Sequence, residues 1–239
     1  MIVLDHLYKE DIAKAFISIC ENIKTSKDDV IADKQMQKMI YEETDRLLSS
    51  TELNIEKLTN KIGNYDHDLY KHSIRVATFS MIIGRILGYN ENTIKELTLG
   101  GLLHDIGKVY IPVDILNKPA KLDGIERNVI SSHSAFSAYY LRKKYPDISD
   151  NILYGVYEHH ERLDGTGYPN HLVGQQISKL GRIIAIADIY EAYSAARCYH
   201  QKRSVKETVD FIKGANGLDS EMLSEFIKHI DIEREIIVF

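Results

Sequence analysis

Apolar residues recur at spacings of three and four along most of the chain, and no run alternates in the manner of a strand, so the pattern predicts an all-α fold. Near the start, Ile12, Ala13, Phe16, Ile19, Cys20 and Ile23 make one amphipathic helix over 9–24. A second follows over 30–48 with Ile31, Met36, Met39, Ile40, Leu47 and Leu48, and a short third holds Leu53, Ile55, Leu58 and Ile62. Gly63 and Asn64 close this part, dividing the chain into a helical N-terminal extension over 1–64 and a main domain over 65–239. The extension carries no chemistry that can be named. It is either a docking or dimerisation surface or a cap packed on the main domain.

In the main domain a polar patch, Tyr65-Asp66-His67-Asp68, opens a long helix with the stripe Leu69, Val76, Phe79 and Ile83, and His72 belongs to that stripe. Gly88 ends it, and Asn90 caps a helix that is apolar nearly all round from Leu97 to Leu102 and delivers His104 and Asp105 before Gly107 breaks it. The stretch from Val109 to Lys121, with Pro112 and Pro119, reads as a turn-rich connection. A capping box at Asp123 and Glu126 starts a helix that includes His133, and another helix runs from near Ser149 to Glu158-His159-His160-Glu161. The last strong element, 177–196, presents Leu180, Ile183, Ile184 and Ala187 with Asp188 and Glu191. Ser204 with Glu207 forms another capping box, Asp219 another N-cap, and the apolar tail from Ile236 to Phe239 either packs on the core or adds a short strand.

Composition narrows the function classes. The formal charge of -5 excludes a nucleic-acid polymer as the main ligand but leaves room for a local pocket around a small phosphate. Cys20 and Cys198 are the only cysteines, too few and too distant for a disulfide framework or a thiolate metal site. No signal-like segment and no run near the ~20 apolar residues of a membrane span is visible, so a cytoplasmic protein with no membrane contact is expected.

The chemistry lies in His72, His104, Asp105, His133, His159, His160 and Asp188, each on a core face or at a helix end. Burying so many imidazoles and carboxylates without partners is costly, and divalent metals would satisfy them together. The inventory is enough for two ions, or three with Asp68, with Asp105 suited to bridge. Imidazole and carboxylate ligation without thiolate favours iron or manganese. Paired metals about 3.5–4 Å apart can turn a bridging water into hydroxide for phosphoryl displacement. Lys108 and Arg197 are candidates for the phosphate oxygens.

The run His104-Asp105-Ile-Gly-Lys108, together with His159-His160-Glu161-Arg162-Leu-Asp164-Gly165-Thr-Gly167-Tyr168-Pro169, resembles the HD-GYP family of HD-domain metal-dependent phosphohydrolases. The resemblance implies an HD-domain-type helical bundle that hydrolyses cyclic di-GMP to linear pGpG, and in some members on to GMP. It places His72, His104, Asp105, His133, His159, His160 and Asp188 on metal-ligand positions, and Asp68 where three-metal members carry a carboxylate. The catalytic group it implies is His104, Asp105 and Lys108. Lys108, Tyr168, Glu191 and Arg197 fall on substrate-contact positions, and His200 stands where the family carries a phosphate-contacting cation. The chain departs from the usual pattern at Ser137, at Tyr190-Glu191-Ala192-Tyr193-Ser194 and at Arg197-Cys198-Tyr199-His200. Two further readings use the same residues. One is a weakly active or inactive module that binds nucleotide and meets a signalling partner, or a second copy, through the N-terminal helices or the GYP loop. The other is a phosphohydrolase for another nucleotide such as cyclic GMP-AMP.

Overall fold

A computed structural model of the chain describes residues 52–54, 68–116, 118–195 and 203–238. The chain divides after Leu53 into two units, and the second, Asn54–Phe239, carries the candidate site residues. The two helices expected over 9–24 and 30–48 lie outside the described residues, as do Ile55, Leu58 and Ile62. Leu53, expected on a third helix, lies instead in a three-residue strand, β1 (Glu52–Asn54).

The main unit is a helical bundle. In order come α1 (Asp68–Ile86), α2 (Glu91–Leu103), a 3-10 turn (Ile106–Tyr110), α3 (Val113–Leu116), α4 (Gly124–Ser131), α5 (His133–Lys144), α6 (Asp150–Glu158), α7 (Lys179–Ser194), α8 (Val205–Lys213) and α9 (Ser220–Lys228). The apolar tail takes the strand alternative. β2 (Ile230–Asp231) and β3 (Ile236–Val238) pair antiparallel with Ile230 opposite Ile237. Among the described residues no helix is long and apolar enough to cross a membrane.

α7 is the centre of the bundle. Leu180, Ile183, Ile184, Ile186, Ala187 and Tyr190 are all buried, so this helix has almost no solvent side and α1, α2 and α6 pack around it. Phe79 of α1 meets the Tyr190 ring edge-on at 4.8 Å, and Tyr190 meets Phe226 of α9 at 5.3 Å. Local signals set most helix starts. Asn90 accepts from the Thr93 amide at 3.0 Å, and the Asp123 and Ser204 boxes close in both directions.

Two expected boundaries are corrected. α2 stops at Leu103, so Gly107 does not end it but lies inside the 3-10 turn that follows. A Cβ on Gly107 would sit 2.2 Å from the His133 carbonyl oxygen, so the residue is glycine because this turn lies flat against α5. The helix begun at Asp123 is interrupted at Ser132, and His133 starts a new one. There the Val129 carbonyl takes the Ser132 hydroxyl at 2.6 Å and the Ile130 carbonyl takes the His133 ring at 2.7 Å. Side chains, not a proline or glycine, mark that break.

Phe79 is fully buried between helices, so Phe79→Ala should cost about 3–5 kcal/mol in urea-induced unfolding, with the midpoint falling and the slope unchanged.

Candidate metal centre

Each group comes from a place where a helix begins, ends or crosses the core. His72 projects from the second turn of α1 and Asp188 from the middle of α7. His104 and Asp105 lie just past α2, His133 opens α5, and His159 and His160 follow α6. Helix ends leave carbonyls without intrahelical partners. His104, His133 and His159 use this: each ring places Nδ1 on the carbonyl three residues back, Gly101 at 2.8 Å, Ile130 at 2.7 Å and Val156 at 2.7 Å. A carbonyl only accepts, so Nδ1 carries a proton and Nε2 is the nitrogen turned inward. His72 is held by a carboxylate instead, its Nδ1 bonded to Glu191 Oε2 while Arg75 donates to Glu191 Oε1 at 3.0 Å.

The seven side chains fall into two groups with mutually close donor atoms, Asp105 with His133, His159 and His160, and His72 with His104 and Asp188. Asp105 stands between them. Its Oδ1 is 3.1 Å from His133 Nε2, while its Oδ2 is 3.3 Å from His104 Nε2 and 3.5 Å from His72 Nε2. Asp188 Oδ1 lies 3.2 Å from His72 Nε2, and the Nε2 atoms of His133 and His159 are 3.4 Å apart. Donor atoms about 3 Å apart are neighbours around one ion with bonds near 2.1 Å. His104, His159, His133 and Asp105 are all at most 1% exposed.

Electrostatics fit a cation-binding role. His104 Nε2 and Asp105 Oδ1 are buried without a hydrogen-bond partner, two orphaned acceptors aimed into the cluster. Burial, with His160, His104 and His133 adding to it, holds His159 well below the ordinary imidazole range, and burial takes His160 down to about 3, so both offer neutral lone pairs. For Asp105, burial raises the pKa, but His104 and Lys108 outweigh it and hold the carboxyl ionised. Asp188 behaves alike, with His72 the main counterweight to burial. Burial likewise works against a charged His72, yet Asp105, Asp188 and Glu191 outweigh it and raise the imidazolium. This residue set fits divalent ions.

The rim holds the remaining candidates. Lys108 Nζ reaches Asp105 Oδ2 at 2.5 Å and is part-exposed at the mouth. Tyr168 stacks on His160, ring centroids 4.7 Å apart and 29° between planes. Glu191, expected at a substrate contact, is 1% exposed and its oxygens engage His72 and Arg75. Asp68 opens α1, but its side chain lies outside the described residues, as do Arg197, Cys198 and His200.

Sequence reasoning gave no supporting role to three residues. Glu161, 2% exposed, accepts from the Asn170 amide at 2.6 Å and the Leu172 amide at 3.0 Å, pinning the loop that carries Tyr168. Gly167 lets that loop close, since a Cβ there would come within 2.4 Å of the His160 carbonyl oxygen. Arg75, three residues after His72, was signalled only by its helical spacing.

Residues 56–222 match the HD domain family. A 3'3'-cGAMP-specific phosphodiesterase of Vibrio cholerae is 37% identical over 175 residues, which is 72% of this chain and 40% of that protein. A cyclic di-GMP phosphodiesterase of Pseudomonas aeruginosa is 34% identical over 173 residues, 72% of this chain and 42% of that protein. The chain therefore spans about two fifths of the length of these relatives. Among solved structures, a Bdellovibrio bacteriovorus protein described as HDG"Y"P superposes with a TM-score of 0.60 at 16% identity, covering 91% of this chain and 67% of that one, which speaks for the fold.

The placement of Asp105 between the groups has a measurable consequence. Asp105→Ala should lose metal from both groups in elemental analysis, whereas Asp188→Ala should lose it from one and leave the other occupied.

Proposed function

The chain belongs to the HD-domain family, with the motifs of its HD-GYP branch, and from its site we propose that it is a metal-dependent phosphodiesterase acting on cyclic dinucleotides, with cyclic di-GMP as substrate. The observation that carries this reading is the pair of donor groups joined by one buried carboxylate, with a part-exposed lysine on that carboxylate and a tyrosine stacked on His160. We assign the centre two divalent ions, iron or manganese, with a third where Asp68 contributes. When bound, such ions supply Lewis acidity at phosphorus and lower the pKa of water to make a nucleophile at neutral pH.

The protein's own groups do the rest. His72, His104, His133 and His159 keep their Nε2 atoms inward because their Nδ1 atoms are already engaged. Lys108 is placed to bind a non-bridging phosphate oxygen as charge builds there, and Tyr168 on His160 gives the mouth a flat wall against which a base can lie. Hydrolysis adds water across one P–O bond, leaving a phosphate on one ribose and a hydroxyl on the other. That converts cyclic di-GMP to pGpG, and a second round would give GMP.

A second substrate has a specific observation behind it, because the Vibrio cholerae relative at 37% identity is named for 3'3'-cGAMP. The two substrates differ in one base, so the choice falls to the rim and not to the buried donors.

Product analysis on anaerobically prepared, iron- or manganese-loaded protein should show cyclic di-GMP converted to pGpG. No cleavage of cyclic di-GMP or 3'3'-cGAMP under conditions where a relative works would reject the activity, and cleavage of 3'3'-cGAMP alone would reassign the substrate. Asp68→Ala should lower the metal count from three towards two. An unchanged count would remove Asp68 from the site.

A further inference from the structure

Ser137 lies one turn after His133 on α5, fully buried, and its side chain leaves its own helix to serve another segment. Its hydroxyl donates to the His104 carbonyl at 2.8 Å and accepts from the Gly107 amide at 2.7 Å. Those two groups flank Asp105. They are also what is left over where α2 stops at Leu103 and the chain turns through His104-Asp105 into the 3-10 turn. Neither belongs to a regular helix, both are buried, and one hydroxyl satisfies both. Beside this bond the contact is backbone on backbone, because a Cβ at Gly107 would lie 2.5 Å from the Ser137 amide nitrogen.

The consequence is a fixed distance. Asp105 comes from the turn and His133 from α5, and their donor atoms stand 3.1 Å apart. Ser137 ties the turn to α5 on the residues either side of that carboxylate. His133 sits four residues before Ser137, on the same face of the helix. Resting on the reading of this cluster as a metal centre, we propose that Ser137 is a positioning residue for that centre: its hydroxyl holds the Asp105 turn in register with His133 so that one carboxylate can serve both donor groups. It touches neither substrate nor donor atom, and acts only through the backbone around Asp105.

The test uses the full chain and Mn2+ alone as probe, with calorimetric titration of the metal-free protein and thermal unfolding run in parallel. Ser137→Thr and Ser137→Val are close in shape and differ in the hydroxyl, so whatever an added methyl disturbs is common to both. Threonine should bind Mn2+ about 10-fold to 100-fold more tightly than valine, the range seen when supporting hydrogen bonds around metal ligands are removed. Ser137→Ala should fall with valine. Equal Mn2+ affinity for the threonine and valine variants would overturn the proposal, whatever their melting temperatures. If the unaltered protein bound no Mn2+, the metal-centre reading itself would fall and take the role of Ser137 with it. Unaltered protein that binds Mn2+ beside an equally tight Ser137→Val would remove Ser137 alone.

Discussion

Lone pairs facing lone pairs are the constraint on which this structure turns. With Nδ1 of His104, His133 and His159 bound to carbonyls, the Nε2 atoms point at one another and at the oxygens of Asp105. Leaving a buried acceptor without a partner costs about 1–3 kcal/mol, and several converge in one small volume. A cation removes the conflict. The bundle tolerates such a centre because helix ends supply it. Histidines that quiet their own terminal carbonyls stabilise the fold and orient the donors through the same bond.

Much of this was legible in the sequence. Helical spacing put His72 on the inner face of α1, the apolar run before His104 foretold burial, and the caps at Asn90, Asp123, Ser204 and Asp219 stand where expected. What escaped was decided by contacts distant in sequence. α2 ends without a local breaker because Ser137, 33 residues on, takes up the His104 carbonyl. The break before His133 is made by side chains that cap carbonyls, and serine and histidine there look like ordinary helix residues. Glu191 is a similar case. Its spacing from Asp188 set the face, yet only the approach of α1 shows that His72 and Arg75 claim its carboxylate.

Rigidity is distributed unevenly around the centre. The donors stand on α1, α5 and α7 or within two residues of the ends of α2 and α6, where packing against neighbouring helices holds the backbone. The loop bearing Tyr168 is closed by an isolated antiparallel bridge between Asp164 and Val173, two of its amides converge on the buried Glu161, and Asp164 accepts from the Thr166 amide at 3.0 Å within the same loop. The glutamate directly after two histidines of the cluster therefore serves as the loop's internal anchor. That arrangement keeps the tyrosine against His160 without asking the donors to move.

The relatives of this chain divide in name between cyclic di-GMP and 3'3'-cGAMP. On the proposed function the chemistry at phosphorus is the same for both, and the choice of base falls to groups outside the buried donor set. Deep substitutions are constrained differently. Changing Asp105 or His133 removes a donor outright, whereas changing Ser137 leaves every donor present and alters only where one of them stands. A position of that second kind can vary between relatives and still matter in each, provided some group in the local structure meets the His104 carbonyl and the Gly107 amide.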